Sequence, residues 1–81
     1  KHFRRTYKKT SDKTKKYFRS RLKLFVVDPF HPLLNNHALH GNLTGYRSIN
    51  ITGDIRAIYK AIDEQTVEFA LLGSHGELYG E

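Results

Sequence analysis

Three histidines and two arginines in the later part of the sequence are of the types that phosphodiester chemistry uses. His37 and His40 stand in "DPFHPLLNNHALHGN", Asp28 to Asn42, and His75 stands in the closing stretch "GSHGELYGE". Between them, Arg47 and Arg56 occupy the middle of two strand-like runs. An imidazole can take or give a proton near neutral pH, and cleaving RNA needs such a group twice. One accepts the proton of a 2′-hydroxyl, and the other supplies a proton to the departing 5′-oxygen. A guanidinium stays charged, holds a phosphate and stabilises the charge that develops on it. An arginine among apolar strand residues needs an anion or a route to water, so Arg47 and Arg56 are candidates for a phosphate-binding sheet face. The alternative is pairing within the protein, with Asp54, Glu68 or the terminal carboxylate.

Other chemistries lack their residues. His37 and His40 have the H-x2-H spacing of a metal pair, but the sequence contains no cysteine and no matching acidic ligand motif, so no metal is expected. There is no P-loop, G-x-S-x-G or dinucleotide fingerprint, and no cofactor is expected.

These groups must be positioned by a small domain. The sequence has 81 residues, 38% of them apolar, with five Tyr and five Phe. That is enough for one core and too little for two domains. Phe3 and Tyr7, four apart in "HFRRTYKK", predict a short amphipathic helix. Ser11 or Asp12 is placed to cap a second helix, whose Phe18, Leu22 and Phe25 share a face and which should end near Asp28, ahead of Pro29. The stretch from Asp28 to Asn42 reads as an ordered loop anchored by its leucines. From Tyr46 the period changes to two. Tyr46 to Ile51, Asp54 to Ile62 and Thr66 to Leu72 are predicted strands, joined by a tight turn at Thr52-Gly53 and a longer one at Asp63-Glu64-Gln65. In the second strand Arg56, Ile58 and Lys60 share one face. The closing stretch is too rich in glycine for a long helix. The predicted class is α+β: a helical hairpin packed on a twisted antiparallel β-sheet with three strands visible.

Charge is distributed unevenly. Residues 1–23 hold eleven of the fourteen Lys and Arg residues against Asp12 alone, whereas the remainder is net acidic. Such a segment attracts polyanions through counterion release. A nucleic acid is the expected partner class, with Lys15, Lys16 and Arg19 on the second helix as candidate phosphate contacts beside Arg47 and Lys60. The alternative is a solvated helical face with no ligand. No apolar run has the length of a signal peptide or a membrane span. A cytoplasmic location without membrane contact is therefore expected.

The run "HALHGNLTGYRSINITGDIRAIYK", followed by "GSHGELYG", resembles the RelE/ParE superfamily of bacterial toxin-antitoxin toxins, especially the YafQ-like messenger-RNA interferases. The resemblance rests on H-x-L-x-G-x3-G-x-R, then G-D-x-R-x-I-Y, then G-[ST]-H-x-x-L-[FY], spread over residues 32–80. It implies a microbial-ribonuclease-like fold with helices on one sheet face and the RNA site on the other. It also implies metal-independent cleavage of messenger RNA on the ribosome through 2′-hydroxyl attack, and silencing by a cognate antitoxin. The family's sheet usually opens with another strand, so either a strand precedes Lys1 or the sheet is one strand smaller.

Carried over residue by residue, His75 takes the place of the C-terminal catalytic histidine and Tyr79 that of the aromatic near it. Arg56 falls at an arginine that contacts phosphate, Asp54 at the aspartate after the hairpin turn, and His37 at the histidine that opens the first motif. Arg47 matches the arginine of "GYR". The resemblance therefore implies a site of His75, Arg56, Asp54, Tyr79 and His37 or His40. Three departures fall within it: Asn50 replaces a second histidine, Leu71 replaces an arginine, and Ser48 stands where relatives have an aspartate. They leave open a second reading, a toxin of the same fold with another target, such as DNA gyrase, or one that mainly binds its antitoxin.

Overall fold

The computed structural model describes residues 2–79. Helix α1, His2–Lys9, is followed by α2, Asp12–Val27. Thr10 and Ser11 separate them, and the Ser11 hydroxyl accepts from the Thr14 N–H at 3.2 Å, satisfying one of the orphan donors of the first turn. Helix α2 ends where Asp28 donates its N–H to Leu24 O, just ahead of Pro29. The two helices close on each other through aromatic rings. Phe18 of α2 lies 5.7 Å from both Phe3 and Tyr7 of α1, centroid to centroid.

The sheet has four antiparallel strands in the order β1-β2-β3-β4: His37–Ala38, Tyr46–Asn50, Ile55–Ala61 and Val67–Ser74. A third α-helix, α3, spans His75–Tyr79. The strand beyond the three visible in the sequence is β1. It comes from the stretch read as a loop, where His37 pairs with Ser48 and Ala38 with Arg47. Its two residues are too few to show a period, which is why the pattern could not reveal it.

The first hairpin turn is also wider than the expected two residues. Ile51 N and Thr52 N both donate to Ile55 O, and Thr52 Oγ1 accepts from the N–H groups of Asp54 and Ile55 at 3.2 and 3.0 Å. The threonine hydroxyl supplies acceptors that a backbone-only turn would lack. Strand β4 continues two residues past Leu72 and carries a bulge: Ile58 pairs with Leu71, but Tyr59 pairs with Phe69. The extra residue, Ala70, puts Phe69 and Leu72 on one face although they are three apart.

Both then join the core between sheet and helices, with Phe18, Phe25, Leu34, Ile49, Ile51, Ala57 and Tyr59. Phe18 meets Phe69 edge-on at 5.3 Å and Phe25 meets Tyr59 at 5.0 Å, geometries that the ring quadrupole favours.

One polar hub ties the loop before β1 to this core. Asn36 Nδ2 donates to Tyr59 Oη at 2.8 Å and to Pro29 O at 3.0 Å, while its Oδ1 accepts from Arg47 Nε at 2.7 Å. Tyr59→Phe removes one of these acceptors without changing ring packing. It is expected to cost about 1 kcal/mol in a denaturant titration, with the slope unchanged.

Candidate functional site

Pleating sends alternate residues of each strand to opposite faces. Ile49, Ala57 and Tyr59 face the helices, so Ser48, Asn50, Arg56, Ile58 and Lys60 face away from them. Ser48 and Ile58 are nonetheless fully buried. Helix α3 turns back over this face, and Tyr79 Oη donates to Ser48 Oγ at 3.2 Å.

A cleft of about 410 Å³ opens beside Tyr79, lined by Asn35, His37, Ala38, Leu39, His40, Arg56, His75 and Tyr79. Arg56, His37, His40, His75 and Tyr79, singled out from sequence, therefore share one cavity. The lining contains a guanidinium and three imidazoles and no carboxylate. Its electrostatics favour an anion.

Each group is held by the local backbone. Arg56 Nη1 donates to Thr52 O at 2.9 Å and to Ile55 O at 3.2 Å. These carbonyls orient the guanidinium but carry no net charge to neutralise it. Asn35, at φ 45°, turns the chain so that its carbonyl lies 2.8 Å from His37 Nδ1. A carbonyl can only accept, so Nδ1 carries the proton and the neutral ring presents Nε2 as a base. The His75 N–H donates to Asp54 O at 3.0 Å, and the His75 and Tyr79 rings meet at 4.5 Å and 61°.

Other expected residues lie elsewhere. Arg47 faces the helices, half-buried, bonded to Asn36 and 5.4 Å above the Phe30 ring. A shared phosphate face of Arg47 and Arg56 is thus excluded, because the two are separated by an odd number of pleats along their register. Asp54 is exposed at the turn and contributes its carbonyl, not its carboxylate, to holding His75. Lys15 and Arg19 turn to α1: Lys15 Nζ sits 5.3 Å from the Tyr7 ring centroid and Arg19 Nη1 lies 3.4 Å from Tyr7 Oη. Lys16 is exposed on the same helix, and all three belong to the layer behind the sheet. Lys60 is on the cleft face, beside Tyr46 at 6.0 Å, and roughly 13 Å along β3 from Arg56.

Two of the departures, Asn50 and Leu71, are visible here. Asn50 pairs in register with Arg56, and its Oδ1 is buried with no hydrogen-bond partner among the described residues. Leu71 lines a second hollow of about 460 Å³ with Leu43 and Leu78, which shares His40 and Tyr79 with the first. Among the described residues no group of three or more His, Cys, Asp or Glu side chains is placed to hold a metal ion.

What sequence reasoning missed is how α3 is fixed. Glu77 Oε1 accepts from Ser74 N at 2.9 Å and Ser74 Oγ accepts from Glu77 N at 3.1 Å. This reciprocal cap was readable as S-x-x-E, and it starts the helix that carries His75 and Tyr79. The Ser74 N–H, and next its hydroxyl, hold the Glu77 carboxyl below the ordinary glutamate value. A depressed value means that the ionised cap stabilises the fold above the ordinary glutamate range and that this contribution is lost as pH falls through the lowered value. The Tyr79 ring resonances are therefore expected to shift in acid below the ordinary glutamate range in the wild type, and to lose that step in Glu77→Gln.

A family model described as a bacterial toxin of a type II toxin-antitoxin system, YafQ, matches residues 1–80. None of the curated proteins compared with the chain matches it. Among solved structures, YafQ from E. coli strain BL21(DE3) superposes with a TM-score of 0.76 at 21% identity, covering 98% of this chain and 91% of that one. The E. coli DinJ-YafQ complex gives 0.68 at 24%, with the same coverage. A YoeB/ParE toxin from Agrobacterium tumefaciens gives 0.67 at 22%, over 88% of this chain and 84% of that one.

Proposed function

Since the chain belongs to the YafQ family of toxins from bacterial type II toxin-antitoxin systems, we propose that it is a metal-independent endoribonuclease that cuts messenger RNA on the ribosome, in the cytoplasm, and so stops translation. The observation that carries this reading is the single cleft holding Arg56, His37, His75 and Tyr79 without a carboxylate. A phosphate enters beside the Arg56 guanidinium. His37 Nε2 takes the proton of the 2′-hydroxyl, whose oxygen attacks phosphorus. His75 gives a proton to the 5′-oxygen as its bond to phosphorus breaks, and Arg56 stabilises the charge on the non-bridging oxygens. The products are a 2′,3′-cyclic phosphate and a 5′-hydroxyl. Tyr79 packs against His75 and fixes its ring.

The partner is a cognate antitoxin. DinJ in complex with YafQ supports this, as do the exposed Val26, Val27, Phe30 and Leu33 at the end of α2 and just beyond it, an apolar surface of the kind that partners cover.

The protein is expected to cut messenger RNA on programmed ribosomes, and free RNA in excess chelator, and to leave cyclic-phosphate and 5′-hydroxyl ends. Fragments with 5′-phosphates would rule out this chemistry. Asn50 and Leu71 favour one competing reading, a toxin of the same fold directed at DNA gyrase. Loss of gyrase supercoiling together with intact RNA would select it.

A further inference from the structure

The helix residues that line a groove are not the ones that the charge count suggested. On α2, Lys13, Tyr17 and Arg21 follow i, i+4, i+8 spacing and form one stripe, rising about 6 Å per step. With Thr14 and the turn residues Ile51 and Thr52 they line a groove of about 490 Å³. Arg21 Nε donates to Ile51 O at 3.3 Å, and on the other side of the same turn Arg56 Nη1 donates to Thr52 O at 2.9 Å. Two arginines thus grip consecutive carbonyls of one hairpin turn, one from the helix side and one from the cleft side. Both carry charge that carbonyls cannot neutralise. Lys13 is exposed, and Tyr17, which lies between the two cations, is 44% exposed.

We propose that this groove is a second RNA subsite, which takes the single strand leaving the cleft around the β2–β3 turn and binds it by its phosphates. The inference rests on the reading of RNA as the ligand. A cationic groove with an interposed aromatic is the arrangement that holds single strands with little regard to sequence. Lys13 and Arg21, about 12 Å apart along the helix, would each meet a phosphate, next but one along the strand, with Tyr17 meeting a base between them.

The test compares Lys13→Gln, Arg21→Gln and the double variant with Lys16→Gln, which removes the same charge from α2 outside the groove. The probe is a 2′-O-methyl RNA of about 12 nucleotides, which binds but cannot be cut. Each single groove variant is expected to lower affinity about three- to tenfold and to reduce the slope of log K against log salt by about 0.7, and the double variant to reduce it by about twice as much. Lys16→Gln should change neither as much. Cutting of a dinucleotide, too short to reach the groove, should stay at the wild-type rate in every variant. Equal losses in Lys16→Gln and the groove variants would overturn the proposal, leaving only general charge. So would a double variant that binds the RNA normally but loses retention on polyglutamate, which would assign the groove to an acidic protein segment. If the wild type cuts neither the dinucleotide nor ribosome-bound messenger RNA while the groove variants still lose RNA affinity, the nuclease reading falls and the groove stands.

Discussion

Replacing His75 by alanine is expected to slow RNA cleavage by about 10²- to 10⁴-fold, the range that a positioned proton donor contributes. The fold should survive the change. The tie of His75 to Asp54 O is made by the backbone N–H, which alanine keeps, and the capping pair of Ser74 and Glu77 does not involve the imidazole. Single-turnover rates at saturating RNA measure the loss, and thermal unfolding of the same preparation checks the fold. A variant that cuts at the wild-type rate would remove His75 from the chemistry.

Arg56→Ala is expected to cost about 10²- to 10³-fold in the rate of the chemical step, through loss of a preorganised charge at the phosphate. Unlike His75, Arg56 also holds the turn, by way of Thr52 O and Ile55 O, so a modest loss of stability, about 1 kcal/mol, should accompany it. The two effects separate in Arg56→Lys. Lysine restores a point charge but not the planar fork that reaches two carbonyls and a phosphate together, so the rate should recover only in part. Arg47→Ala supplies the contrast. It should lower stability, by breaking the Asn36 hub, and leave cleavage by the remaining folded protein intact, since Arg47 lies on the helix side of the sheet.

The layer architecture was legible because its signals are long and periodic. Phe3 and Tyr7, then Phe18 and Phe25, mark the inward faces of two helices, and alternation from Tyr46 marks strands. Features set by single hydrogen bonds were not legible. Two residues of β1 carry no period, the wide turn depends on one threonine hydroxyl, and the bulge at Ala70 is a count of one.

The same division holds at the site. Residue type and motif spacing indicated His37, Arg56, His75 and Tyr79, which the fold brings to one cleft. Charge counting indicated Lys15, Lys16 and Arg19, which a helix of 3.6 residues per turn directs away from the sheet. Arg47 and Arg56 looked alike as mid-strand arginines, yet pleating puts them on opposite faces. A charge in a sequence has no direction until the register is known.

The most direct test of the phosphate site is an NMR titration with a short single-stranded RNA carrying 2′-O-methyl groups, which occupies the site without being cut. Arg56 Nε–Hε and the imidazole resonances of His37 and His75 are predicted to shift together at one saturation point, with Lys15 and Arg19 of α2 unmoved. Shifts confined to the helices, with these three cleft residues unchanged at saturation, would contradict an RNA site on the open face of the sheet.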